Sequence, residues 1–214
     1  MGDRKIILLG AGGHARVIID ILTLSGWVIA GVVDKIESGK TEFLGYPVIG
    51  NDDVLKEIYE GGVRNAVLGM GHIGNYIIRN NIYCKLKGIG YQLPNIIHPN
   101  ATIASDVAMG EGNVIFAGSV INSGAVIGNI DIINTNVVIE HEVKIGNNVH
   151  VAPGGVILGA VSVMNNSFIG ANSTVLQGRK VGRAVIIGAG STVLKDVGND
   201  VTVVGNPARI VGRR

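Results

Sequence analysis

Two of the five histidines in this sequence lie in "VVIEHEVKIGNNVH", residues 137–150. His141 stands between Glu140 and Glu142, and His150 follows nine residues later. An imidazole titrates at about 6.5 and accepts a proton near neutrality. A carboxylate beside it can orient the ring and stabilise the imidazolium that forms. Alternate residues of a strand face opposite ways. Glu140 and Glu142 therefore share a side that His141 does not, and a corner must intervene if Glu142 is to reach the ring. A histidine between glutamates is also what a solvated charge cluster looks like, and His150, between Val149 and Val151, also suits a packed ring.

A second candidate group lies near the N-terminus, in "GAGGHA", residues 10–15, with Asp34 about 20 residues on, the offset at which an acid binds a ribose hydroxyl. Backbone N–H groups of Gly12 and Gly13 at a helix start favour an anion. His14 can donate to a phosphate or cap the turn. The spacing departs from the dinucleotide fingerprint, because Gly13 and His14 follow Gly12 and Ala15 holds the third glycine position. A nicotinamide site, a nucleotide-sugar site and a turn that only packs all remain readings of this stretch. No HxxxH, HxH or acidic cluster of metal spacing occurs, so no metal is needed.

The elements around these residues come from two different patterns. In residues 4–9, "RKIILL" reads as a buried strand. "HARVIIDILTLSG" has helical spacing with Val17, Ile18, Ile21 and Leu22 on one side. "WVIAGVVD" is a second strand ending at Asp34, "NAVLGMG" (65–71) a third, and "IGNYIIRNNIYCKLKG" a following helix. Residues 1–92 are thus expected to form a small α/β, Rossmann-like domain with a parallel sheet, and the prolines of "YQLPNIIHPNATI" mark the junction.

From Ile97 to Val193 every sixth residue is Ile, Val or Met without a slip: Ile97, Ile103, Met109, Ile115 and onward. Gly often follows this position (Gly110, Gly128, Gly146, Gly170), and the fifth position is often small or β-branched (Ser119, Ala125, Val137, Ser167). Neither helix nor ordinary strand has this period. It fits a parallel β-helix over residues 93–214, with three hexads per triangular coil, an inward aliphatic ladder and glycine suited to the corners. Spacing alone favours the usual right-handed crossover.

Composition narrows the function classes. The net charge of +2, with no basic run interleaved with aromatics, argues against nucleic acid. One cysteine, Cys84, excludes an internal disulfide, and packing is its expected role. "MGDRKIILLGAGG" is a strand and turn rather than a signal peptide, Ile6 stands where a myristoylation signal wants Ser or Thr, and no apolar run approaches a membrane span of about 20 residues. A cytoplasmic protein is the expectation.

Taken together, "GAGGHA", "VVD" (32–34), "NTNVVIEHE" (134–142), "VHVAPGGVILG" (149–159) and "VGNPAR" (204–209) resemble one family across essentially the whole chain. It is the bacterial nucleotide-sugar acetyltransferase family of the hexapeptide-repeat superfamily, which includes the bacillosamine and perosamine N-acetyltransferases and the sialic-acid O-acetyltransferase type. The resemblance implies a left-handed β-helix, a homotrimer with active sites at subunit interfaces, and acetyl-CoA as co-substrate. It implies N-acetylation of a UDP-4-amino-4,6-dideoxy-sugar type of acceptor. O-acetylation of a sugar hydroxyl and a non-catalytic nucleotide-binding scaffold are the alternatives. Carried over residue by residue, it makes His141 the general base, Glu142 its support, and Gly159 an oxyanion donor. Asn134 lies near the sugar, while His150, Ala171 and Ala189 contact acetyl-CoA. Gly12, Gly13, His14, Asp34, Lys35 and Gly71 contact the nucleotide; "GMGHIGNYIIR" is longer than the family's usual strand end at Gly71. His72 and His98 match no motif and are expected at the surface.

Overall fold

The computed structural model describes residues 4–35 and 41–213. Two compact units divide the chain: Met1–Gly71 with Ile77–Pro99, and His72–Tyr76 with Asn100–Arg214.

The first unit contains β1 (Lys5–Leu9), α1 (Gly13–Leu24), β2 (Val28–Val33), β3 (Glu42–Phe43), β4 (Tyr46–Gly50), α2 (Leu55–Glu60), β5 (Asn65–Leu68) and α3 (Ile77–Ile89). The sheet order is β3-β4-β2-β1-β5, parallel except for β3 against β4. Ile6 to Leu9 of β1 are all buried, as a central parallel strand covered on both faces requires. In α1 the buried arc runs from Ile21 through Ile18 and Leu22 to Ala15 and Ile19. Val17 lies outside it and stays 44 % exposed, unlike the stripe expected from sequence. In α3 the inner face holds Arg79, Ile82 and Leu86, so Cys84 is exposed rather than packed.

The β3–β4 hairpin and α2 are not anticipated by the sequence reading. The hairpin turns through Leu44 (φ 53°) and Gly45 (φ 84°). Two left-handed central residues are what a tight hairpin needs, but leucine in place of Asn or Asp hides the signal.

In the second unit, short strands pair in parallel register at intervals of three hexads. Val120 aligns with Val138, Val138 with Val156, and Val156 with Thr174. Three such sheets enclose the aliphatic ladder in a left-handed parallel β-helix. From Ile115 to Val193 every ladder residue is buried, while Ile97, Ile103 and Met109 are half-buried. Each full burial contributes roughly 1.5–3 kcal/mol before entropy is subtracted. The C-terminal strand Val201–Val204 adds in parallel to Ile186–Ile187 and folds back antiparallel on Arg209–Arg213.

The corner chemistry differs from the sequence expectation. The left-handed residue is not the one after the ladder position but the third: Gly112, Gly118, Gly124, Ile130, Asn136, Glu142, Asn148 and onward to Gly190. The glycine directly after the ladder serves close stacking instead. A Cβ on Gly128 would lie 2.5 Å from the carbonyl oxygen of Gly146 in the next coil. Glycine there lets coils approach, whereas the left-handed position tolerates Asn, Ala, Ile and Glu.

Candidate active site

Leaving the strand Val138–Ile139, the chain turns through Glu140, His141 and Glu142, and Glu142 takes the left-handed conformation (φ 59°). This is the corner that strand alternation alone would not provide. It brings Glu142 Oε2 to 3.2 Å from His141 Nδ1. Glu140 Oε2 instead accepts from the His141 main-chain N–H at 3.4 Å. Glu142 therefore faces the ring and Glu140 the backbone. An ionised carboxylate only accepts, so the contact places a hydrogen on Nδ1, and in the neutral ring Nε2 is then the atom with the lone pair.

Ser123, His141, Gly159 and Gln177 occupy the same corner of successive coils. The Glu142 N–H donates to Ser123 O (3.1 Å), Ala160 N–H to His141 O (2.9 Å), and Gly178 N–H to Gly159 O (2.9 Å). The His141 ring lies against Gly159: a Cβ there would sit 2.6 Å from both Cε1 and Nε2. The Gly159 N–H donates no bond among the described residues. An open groove of about 530 Å³ runs past this corner, lined by Glu140, His141, Leu158, Gly159, Ala160, Gln177 and Gly178. The His141 side chain is 61 % exposed and that of Glu142 73 %. A base with a free lone pair and an N–H donor beside it can serve nucleophilic attack on a carbonyl.

Asp106, which sequence reasoning passed over, joins this edge. Its Oδ2 accepts from the Ser123 hydroxyl at 2.7 Å and the Gly124 N–H at 3.0 Å. The Ser123 hydrogen bond is the main cause holding its carboxyl below the usual range. Nothing in its local sequence marks it, because its partners lie one coil away.

Asn134, His150, Ala171 and Ala189 belong to another part of the prism, on or just after the strands Ile132–Ile133, His150–Val151, Phe168–Ile169 and Ile186–Ile187. His150 is 8 % exposed and packs edge-on against Phe168, ring centroids 5.1 Å apart. Asn134 Nδ2 lies 3.3 Å from His150 Nε2. Ala171 is half-buried and its carbonyl accepts from Gly190 N–H at 2.8 Å, while Ala189 is exposed. His72, expected at the surface, is 5 % exposed, 5.8 Å from the His150 ring centre; His98 is half-buried. Burial of His72 comes from tertiary contacts across more than 70 residues, which local pattern does not display.

In the first unit, a cleft of about 570 Å³ is lined by Ala11, Gly12, Arg16, Asp34, Lys35, Glu42, Phe43, Leu44 and Val48. Asp34 closes the glycine turn, with Oδ2 accepting from Ala11 N–H and Oδ1 from Lys35 N–H, both at 2.6 Å. Gly12 caps α1, and a Cβ on Gly12 or Gly13 would meet nothing within 4 Å. The helix N-terminus is thus open, a ready place for an anion. His14 is half-buried and Gly71 exposed; neither, nor Gly13, lines the cleft. Arg16, its guanidinium 6.0 Å from the Phe43 ring centre, and the β3–β4 hairpin are additions the sequence reading missed.

A six-residue repeat wound into this prism is the architecture of the hexapeptide-repeat acyltransferases. Residues 160–195 match the family described as "Bacterial transferase hexapeptide (six repeats)", and residues 5–86 match the "PglD N-terminal domain". No curated protein matches the chain at a significant level. Among solved structures, PerB from Caulobacter crescentus, in complex with CoA and GDP-perosamine, is 34 % identical over 97 % of both chains, with a TM-score of 0.90. The acetyltransferase domain of PglB from Neisseria gonorrhoeae FA1090, in complex with acetyl coenzyme A, is 30 % identical over 98 % of this chain and 100 % of its own, TM-score 0.89. WeeI from Acinetobacter baumannii AYE is 26 % identical over 96 % and 99 %, TM-score 0.86. The chain belongs to this family of hexapeptide-repeat acetyltransferases and is an enzyme of the acyltransferase class. No helix among the described residues is long and apolar enough to cross a membrane.

Proposed function

We propose that this enzyme transfers the acetyl group of acetyl-CoA directly to the amine of a nucleotide-linked amino sugar, with His141 as general base. The observation that carries this reading is the corner itself: the His141 ring, its Nδ1 held by Glu142, lies against Gly159, whose N–H has no other partner among the described residues.

The steps follow from these atoms. A sugar amine is largely protonated at neutral pH and must lose a proton to attack. That first proton leaves to solvent, and Nε2 of His141 takes a second proton from the nitrogen as it bonds to the thioester carbonyl carbon. The Gly159 N–H donates to the oxygen as it becomes an oxyanion; one such donor is typically worth about 3–4 kcal/mol. Collapse breaks the C–S bond, and the imidazolium returns its proton to the departing thiolate of CoA. Asp106, Glu140 and Glu142 put negative charge along the edge that an ammonium approaches, which favours an amine acceptor over a hydroxyl.

The nucleotide is assigned to the cleft of the first unit, with its phosphates at the open N-terminus of α1 and Asp34, Lys35 and Arg16 around it. The base is left open between uridine, guanosine and cytidine. Asp34→Ala is expected to weaken the nucleotide sugar about tenfold while acetyl-CoA binding stays unchanged, since losing two charge-assisted bonds loosens the turn. Calorimetry with each ligand checks this; equal weakening of both would contradict the division of labour.

The residues assigned to acetyl-CoA, His150, Ala171 and Ala189, do not share the corner of His141 and Gly159. A neighbouring prism would bring the two sets together, so the reading includes a homotrimer with sites at its interfaces. Light scattering is expected to give three times the chain mass of 22.3 kDa. A stable monomer at micromolar concentration would remove the interfacial site.

The whole reading is tested by offering acetyl-CoA with UDP-, GDP- and CMP-linked amino sugars and following release of CoA thiol. Turnover of a 4-amino sugar supports it; transfer only to sugar hydroxyls, or none with any acceptor, overturns it.

A further inference from the structure

The segment His72–Tyr76 groups with the β-helix and fixes two of that unit's histidines, His72 and His150, in single tautomers. His150 Nδ1 is 2.9 Å from the main-chain carbonyl of His72. A carbonyl only accepts, so Nδ1 carries the hydrogen. At the other side of the ring, Asn134 approaches with Nδ2 at 3.3 Å. The orientation of that amide is set independently, because its Oδ1 accepts from Thr135 N–H at 2.8 Å. Nε2 of His150 is therefore an acceptor, and the ring is neutral. His72 shows the reverse arrangement. Its Nε2 is 3.1 Å from Asn148 O and so donates, and its Nδ1 accepts from Gly74 N–H at 3.3 Å. Asn148 in turn donates from Nδ2 to Tyr76 O at 3.1 Å. The His72 ring is edge-on to both His150 and Phe168.

The chain of bonds runs from the ring of His72, through its own carbonyl, to His150 and on to Asn134. One N–H of the Asn134 amide is spent on Nε2 of His150; the other donates to nothing among the described residues. We infer that His72 is a positioning residue for the acetyl transfer: anchored on Asn148, it locks His150 as the Nδ1–H tautomer, and His150 aims the Asn134 amide with one N–H left for an oxygen of the substrate. This rests on the acetyltransferase reading for its kinetic part and on geometry alone for the tautomers.

The tautomer is checked first, by nitrogen NMR of full-length enzyme carrying labelled histidine, with His150→Gln used to assign the signals. His150 is expected to show a pyridine-type Nε2 and a protonated Nδ1. A protonated Nε2 in the wild type overturns the inference whether or not the enzyme turns over any sugar. His72→Ala is expected to mix the tautomers of His150 and to raise KM for one substrate about tenfold, the usual worth of a hydrogen bond, with kcat changed much less. His72→Gln keeps a donor where Nε2 was and is expected to restore a single tautomer and most of the affinity. Should His72→Ala not fold, the wild-type spectrum and His72→Gln still decide. An unchanged His150 signal or unchanged KM in folded His72→Ala, or a His72→Gln variant no better than alanine, contradicts the positioning role. A wild type inactive on every acceptor with the expected tautomers removes the functional reading and leaves the geometry standing.

Discussion

His141→Ala lowers turnover by roughly 10²–10⁴-fold, the usual contribution of a positioned general base. Folding survives, because His141 is not a ladder residue; the adjoining ladder positions are Ile139 and Ile145, and the histidine side chain is mostly exposed. Acetyl-CoA affinity is also expected to survive, since the proposed base acts on the acceptor. Glu142→Ala costs much less. The His141–Glu142 pair is exposed on both sides, and an exposed pair is worth up to about 1 kcal/mol, or about fivefold in rate. Raising the pH partly restores the His141→Ala variant with an amine acceptor, because more free amine becomes available. A hydroxyl acceptor gains almost nothing, as its pKa lies far above the accessible range. Steady-state kinetics against pH with the preferred acceptor measures both effects. A folded His141→Ala enzyme with wild-type turnover would return this histidine to a solvated charge cluster.

The fold was legible where a pattern is periodic. A ladder residue at every sixth position reports an interior surface directly, and the ladder from Ile115 to Val193 is buried as that pattern requires. The handedness was not legible in the spacing, which favours the usual right-handed crossover; the left hand came with the family motifs. Why Glu142 rather than Glu140 faces the ring was also hidden, because it depends on a left-handed corner residue. That position accepts glycine, asparagine, alanine, isoleucine and glutamate alike, so composition does not mark it. In the first unit, the β1–α1–β2 order showed through its apolar runs and glycine turn, but the hairpin at Leu44–Gly45 lacks the usual turn residues. Arg16 and Phe43 were missed with it, as their association joins residues from α1 and β3. His72 and Asp106 escaped for the same reason: each is defined by partners a coil or more than 70 residues away.

Gly159→Ala provides the second large effect, and it separates two roles of one residue. The backbone at Gly159 is not left-handed, so alanine meets no conformational penalty there. Its Cβ would, however, stand 2.6 Å from the His141 ring, far inside contact distance. The obstructing atoms are the end of a flexible, largely exposed side chain. The ring is therefore expected to swing away with the β-helix still folded, and the main-chain N–H proposed for the oxyanion is retained. Displacing a reacting group by an ångström can cost about 10²-fold, and kcat is expected to fall by that order. A double-mutant cycle identifies the cause. If alanine at position 159 acts by evicting the base, it costs little more once the base is gone, so Gly159→Ala in the His141→Ala background should lose only a few-fold. Coupled groups give such non-additive losses, whereas independent ones add. Full additivity of the two losses would mean that Gly159 acts apart from His141, and that its bare Cα is needed for the approach of acetyl-CoA rather than for the seat of the imidazole.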